Sequence, residues 1–136
     1  MKEWRGINGL FSRVAMVLLL LVMSNVCFAQ ATDISQTELM QRIKANHTQL
    51  ILDVRSPEEY KDGHVPGAIN IPHDQLDSRL AEIGSYKNKD VVVYCTGGGR
   101  AGKAAKILNS SGFSKLQHLN GDMSAWLSNG KLPVEK

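Results

Sequence analysis

Cysteine is nearly absent from this chain. Two occur in 136 residues, Cys27 and Cys95, so at most one internal disulfide is available and a disulfide-stapled scaffold is excluded. Long apolar runs are scarce as well. The longest unbroken one, Val14–Met23, falls well short of the ~20 residues that span a bilayer. No repeat, low-complexity tract or long linker follows residue 30. The glycines lack the spacing of a dinucleotide-binding loop. His47, His73 and His118 share no metal-ligand spacing with one another or with Cys95, which argues against a zinc site.

Charge of one sign is also missing once the ends of the chain are separated. The 136 residues carry 16 Lys+Arg and 13 Asp+Glu, with a pI near 9.0. Residues 1–29 hold Lys2, Arg5 and Arg13 among the basic residues and Glu3 among the acidic ones, leaving 13 against 12 in the remainder. The basic pI therefore comes largely from the first segment and is no signal of nucleic-acid binding. That segment has a basic start, the apolar stretch, and then Cys27-Phe28-Ala29 with small residues before Gln30. This is the order of a secretory signal peptide. Residues 1–29 are expected to be removed before Gln30, leaving one domain over 30–136 in the periplasm. A retained leader would make the protein membrane-tethered instead. Cleavage leaves Cys95 as the sole cysteine, an unpaired thiol in an exported protein.

Strand and helix signals alternate after residue 30. Ser35 with Glu38 reads as a capping box opening a helix that carries Leu39 and Ile43. Leu50–Val54 is a short apolar run with the character of a buried strand. Ser56-Pro57-Glu58-Glu59 repeats the capping pattern with proline at the first helical position, and Gly63 ends that helix. Ala68–Ile71 alternates and stops at Pro72, as a short strand does. Leu76, Leu80 and Ile83 recur at helical spacing. A strand over Val91–Tyr94, a helix over Arg100–Ser110, a strand over Leu116–Leu119 and a short helix over Met123–Leu127 complete the pattern. Such alternation predicts an α/β layered sheet with parallel strands.

One stretch carries chemistry. Val91-Val92-Val93-Tyr94 delivers Cys95 into Thr96-Gly97-Gly98-Gly99, and Arg100 opens a helix. Open α/β sheets bind ligands at the carboxyl ends of their strands. Glycines there leave backbone N–H groups free to curl around one anionic centre, and the helix adds the positive end of its dipole. A cradle of this kind favours a nucleophilic thiolate. A buried, inert cysteine is the plain alternative, but a core strand gains nothing from three glycines at its end.

Four segments together resemble the rhodanese family. They are Asp53-Val54-Arg55-Ser56-Pro57-Glu58-Glu59-Tyr60; Gly63-His64-Val65-Pro66-Gly67-Ala68-Ile69-Asn70-Ile71-Pro72; the loop from Cys95 to Arg100; and Gly121-Asp122-Met123-Ser124-Ala125-Trp126. The likeness runs from Ile34 to Leu132, and with the leader it is similar to an exported, single-domain member of the periplasmic phage-shock type. It implies a five-stranded, mainly parallel sheet with helices on both faces. It also implies sulfurtransferase chemistry with no cofactor and no metal. Cys95 would take a sulfane sulfur from thiosulfate or a persulfide donor and pass it to cyanide or a thiol acceptor. The amides of Thr96, Gly97, Gly98, Gly99, Arg100 and Ala101 would hold the persulfide anion. Related dual-specificity phosphatases place one residue more between cysteine and arginine, so the shorter loop here favours a single sulfur over a phosphoryl group.

Departures from the family pattern accompany that resemblance. Asp122 stands where a second glycine is usual and, lining the mouth, would repel a dianion such as thiosulfate. Ala101 replaces a frequent serine or threonine, and Thr96 replaces a basic residue. Asp53 and Arg55 are expected to support the site by tying loops together. His64 is expected to support it as a satisfied loop histidine rather than as a general base. Arg100 either charges the pocket or braces the loop, and Trp126 reads as core. The expected partners are a small sulfur donor and a thiophilic acceptor. The domain is expected to act as a monomer, with no nucleic acid and no stable membrane contact once the leader is gone. A non-catalytic module that carries sulfur or binds a partner is the competing reading. A thiol redox protein ranks last, because the expected cleavage leaves no second cysteine to resolve a mixed disulfide.

Overall fold

The computed structural model describes residues 30–136. The expected leader, with Cys27, lies outside the described residues. In chain order the elements are β1 (Thr32–Ile34), α1 (Gln36–Lys44), β2 (Gln49–Asp53), α2 (Pro57–Asp62), β3 (Ile69–Asn70) and α3 (Leu76–Arg79). A 3-10 segment (Leu80–Tyr86), β4 (Asp90–Tyr94), α4 (Gly99–Ser110), β5 (Leu116–Leu119) and α5 (Asp122–Ser128) follow. The five strands form one sheet in the order β1-β5-β4-β2-β3, and every pairing is parallel. This is the five-stranded α/β architecture that the resemblance implied.

The period-2 geometry of the strands sorts their side chains onto two faces. Leu50, Leu52, Val54, Val91, Val93 and Cys95 face Leu76, Ile83 and the α4 residues Ala101, Ala104 and Leu108. Ile51, Val92, Tyr94 and Leu119 face Leu39 of α1 and Met123 and Trp126 of α5. Both faces of β4 are thus covered, which is why Val91–Tyr94 reads as an unbroken β-prone run. Each fully buried Val or Leu contributes roughly 1.5–3 kcal/mol through removal from water.

The caps follow the sequence closely. Ser35 accepts the Glu38 amide at the start of α1, and Ser56 with Glu59 closes a full capping box on α2. Two elements differ from expectation. Thr32–Ile34 pairs with β5 in register from Gln117 to Leu119, yet three residues carry too little periodicity to be read as a strand. The helix expected over Leu76–Ile83 is one α-turn followed by a 3-10 segment. The i,i+3 spacing of Leu80 and Ile83 suits that tighter winding.

Candidate active site

Register brings the chemistry to one edge. Asp53 lies beside Tyr94 on one side and Asn70 on the other, so the carboxyl ends of the three strands β3, β2 and β4 are level. Cys95 follows β4 directly and is 1% exposed. Its backbone is gripped by the start of α5: the Cys95 N–H donates to Asp122 Oδ1 at 2.9 Å, and the Met123 N–H donates to the Cys95 carbonyl at 2.9 Å. The Ser124 N–H holds the Thr96 carbonyl at 3.1 Å in the same way.

Beyond Thr96 the loop turns back over the sulfur. Gly98 adopts φ +108°, ψ −20°, in the left-handed region that favours glycine. That turn aims the Gly98 N–H at Cys95 Sγ, 3.0 Å away. The first bond of α4 runs from the Gly102 N–H to the Gly98 carbonyl. The amides of Gly99, Arg100 and Ala101 therefore belong to the helix's opening turn, where N–H groups have no intrahelical acceptor. The twelve-residue helix begins immediately after Gly98, so the positive end of its dipole lies next to that amide. The Cys95 sulfur thus takes the Gly98 amide directly before the start of α4.

The loop is braced from outside by Glu59. Its carboxylate accepts the Arg100 guanidinium through both nitrogens, at 2.7 and 2.9 Å, and the Thr96 hydroxyl at 3.0 Å. Arg100 also donates to Thr96 Oγ1 at 3.0 Å. The Arg100 hydrogen bonds hold the Glu59 carboxyl far below the ordinary carboxylate range, against the opposing effect of partial burial. Of the two roles left open for Arg100, the geometry shows bracing. Its charge is paired rather than presented to the mouth.

A second network lies beneath. Asp53, fully buried, accepts Arg55 Nη2 at 2.7 Å and the Tyr94 hydroxyl at 2.7 Å. Arg55 also donates to the Gly63 carbonyl, and the Val65 N–H donates to the Tyr94 oxygen. Burial opposes the charge on Arg55, and the hydrogen bond and attraction from Asp53 outweigh it. Burial first, and then the Asp53 charge, push the Tyr94 phenol well above its ordinary range. His64 stacks on Tyr60 with ring centroids 3.7 Å apart, and its Nδ1 lies 2.9 Å from the Tyr60 carbonyl. Its backbone pairs with Glu135. His64 thus sits in the frame around the Asp53–Arg55–Tyr94 network, flanked by Gly63, which accepts from Arg55, and Val65, which donates to Tyr94.

Asp122 is not at the mouth. It is 2% exposed, lies under the loop, and has both carboxylate oxygens 3.0 Å from His118 Nε2. The position needs φ +53°, which aspartate tolerates better than most residues. Trp126 is fully buried in the face opposite α4, its indole N–H donating to the Pro133 carbonyl. A cavity of about 410 Å³ beside His47, Gln49 and Pro66 borders neither Cys95 nor its loop. A reaction at one sulfur needs a main-chain cradle rather than volume. No group of three His, Cys, Asp or Glu among the described residues is arranged for a metal ion.

The family model of the rhodanese-like domain matches residues 35–129. The chain belongs to the rhodanese family. A sulfurtransferase of Allochromatium vinosum is 33% identical over 102 residues, spanning 75% of this chain and 92% of that protein. Thiosulfate sulfurtransferase PspE of Escherichia coli is 41% identical over 70 residues, 52% of this chain and 67% of its own length. Among solved structures, a rhodanese-related protein from Thermoplasma volcanium shares the fold with a TM-score of 0.65 at 29% identity, over 76% of this chain and 97% of that one. These relatives support sulfur transfer as the general class of chemistry. In this rhodanese domain the parts that sequence reasoning missed are the second duty of Glu59 and the His118–Asp122 contact. The capping box marked Glu59 as a helix residue, and nothing local pairs it with an arginine 41 positions away.

Proposed function

We propose that this rhodanese domain is a sulfurtransferase in which Cys95 carries the sulfur as a persulfide. The observation that supports it most directly is the 3.0 Å approach of the Gly98 N–H to Cys95 Sγ within a loop of main-chain donors. In the first half-reaction the thiolate attacks the outer sulfur of thiosulfate. The S–S bond of the donor breaks, its electron pair leaves with sulfite, and Cys95–S–S⁻ remains. In the second half-reaction cyanide attacks the terminal sulfur and leaves as thiocyanate, returning the thiolate. A persulfide donor and a thiol acceptor run the same two steps. This is covalent catalysis in two halves, and loop amides that meet the negative sulfur each supply up to ~3 kcal/mol.

Intact-mass measurement tests it. Thiosulfate is expected to add one sulfur atom to the wild type and none to Cys95→Ser, and cyanide is expected to remove it. No gain of sulfur overturns the proposal. A single stoichiometric sulfur with no steady-state turnover points instead to a carrier or partner-binding module.

The proposal extends to place and partners. The domain works as a monomer in the periplasm, on a small donor and a thiophilic acceptor, after removal of residues 1–29. Among the described residues no helix is long and apolar enough to cross a membrane. The mass of protein recovered from the periplasm checks the cut before Gln30. A full-length mass in the membrane fraction indicates the tethered form.

A further inference from the structure

Two carboxylates are built against the cationic features of this site, and they bear on which donor supplies the sulfur. The first is Asp122. Its Oδ1 takes the amide of the nucleophile's own residue at 2.9 Å. Its Oδ2 lies 3.2 Å from the point where a Cβ on Gly98 would stand, and the Gly98 amide holds Sγ. This buried carboxylate, which also faces His118 Nε2 at 3.0 Å through both oxygens, therefore backs the loop on the side away from solvent. The second is Glu59, which occupies both terminal nitrogens of Arg100, the loop's own arginine.

We infer that the site selects a sulfur donor of low charge over a dianion, with Asp122 and Glu59 as the residues that set this preference. The inference rests on the sulfurtransferase reading above and narrows its donor to a sulfane sulfur on an organic group with at most one negative charge. The physical ground is simple. Main-chain amides and a helix start supply about half a positive charge, enough for one anionic sulfur. A second negative charge on the donor meets an arginine already paired and a carboxylate below the loop. With partial solvent screening, one such unit charge a few ångströms away changes binding by about tenfold.

The step with such a donor balances without a further reagent. The Cys95 thiolate attacks the sulfane sulfur of an organic hydropersulfide, whose S–S bond breaks. The electron pair leaves on the organic thiolate, and the proton stays with the transferred sulfur as Cys95–S–SH. Asp122 touches neither reacting sulfur in this scheme and acts as a positioning and specificity residue.

Methanethiosulfonate and thiosulfate make the test, because both offer a terminal sulfur and differ by one unit of charge. Attack on the former leaves Cys95–S–S⁻ and methanesulfinate. With cyanide as acceptor, the wild type is expected to show at least tenfold higher kcat/KM for methanethiosulfonate than for thiosulfate. Asp122→Asn keeps an oxygen for the Cys95 amide and removes the charge; it is expected to shift the ratio of the two kcat/KM values about tenfold toward thiosulfate. Glu59→Gln, at a half-exposed position independent of Asp122, is expected to shift it in the same direction. A structural role alone slows both donors in proportion. A wild type that prefers thiosulfate, or variants that leave the ratio unchanged, overturn the inference. Failure of both donors to load Cys95 sinks the sulfurtransferase reading itself.

Discussion

Glu59 and Arg100, 41 residues apart in sequence, meet through two hydrogen bonds of 2.7 and 2.9 Å on the outer side of the Cys95 loop. The same carboxylate closes the capping box of α2 through the Ser56 amide at 2.9 Å. One side chain thereby couples the first turn of α2 to the first turn of α4, on either side of the loop that carries Thr96.

The pair predicts a pH dependence with a definite sign. Glu59 is held well below its ordinary value, so its stabilisation is complete above the unfolded carboxyl's pKa of about 4.3. It is lost progressively as pH falls below that value. The stability difference between wild type and Glu59→Gln, from urea unfolding, is expected to persist at pH 6–7 and to shrink below about pH 4. Because the Glu59 side chain is 36% exposed, solvent screens the pair and keeps the difference smaller than a buried pair gives. A difference that stays constant across the range contradicts the clamp.

Asp53 and Arg55 make the opposite case, a pair out of water. Truncating either leaves its partner buried and uncompensated, which costs about 3–5 kcal/mol, a large share of a small domain's stability. Asp53→Ala and Arg55→Ala are each expected to be severely destabilised. The double variant is expected to lose much less than the sum. Additive losses in a double-mutant cycle argue against the ion pair as the source.

Tyr94→Phe removes the hydroxyl that donates to Asp53 and accepts from Val65. An unpaired buried amide costs about 1–3 kcal/mol. The phenol is raised above its ordinary value of about 10, so its contribution is full below that pH and is lost as pH climbs through the folded value. Thermal unfolding of the two proteins is therefore expected to converge on the alkaline side of pH 10. Parallel curves at all pH values refute the assignment.

Two glycines test the backbone. Gly98→Ala forces a Cβ into φ +108° and to 3.2 Å from Asp122 Oδ2. The cost is about 1–3 kcal/mol, with the amide turned off the sulfur, so sulfur loading is expected to fall further than stability does. Gly121→Ala meets the Ala125 Cβ at φ +77°. Adding Ala125→Gly relieves the clash while keeping the strained φ, and partial recovery of melting temperature is expected. No recovery assigns the whole loss to backbone conformation.

Local rules were enough for much of this fold. Ser56, Pro57 and Glu59 announce the start of α2 because capping is a matter of three neighbouring residues. Val91–Tyr94 and the glycines after Cys95 announce a strand and a turn for equally local reasons. β1 escaped notice because Thr32–Ile34 gains its strand character from β5, 85 residues away in register. The position of Asp122 also escaped: the motif placed it next to the site, and a mouth residue and a buried one look alike in sequence.

By itself, the sequence determined which chemistry is possible: one thiol after a β-prone run, followed by residues whose backbone can fold over it. Short-range steric and hydrogen-bonding preferences act within a few residues, so they are written in the order of the letters. Only the tertiary structure decided how the charges are spent. Arg100 faces Glu59 at the partly exposed rim, Asp122 turns inward to Cys95 and His118, and Asp53 pairs with Arg55 beneath them, because parallel strands in register and the helices that follow them bring distant carboxylates and cations to one edge. Where water is excluded, as at Asp53 and Arg55, pairing is obligatory.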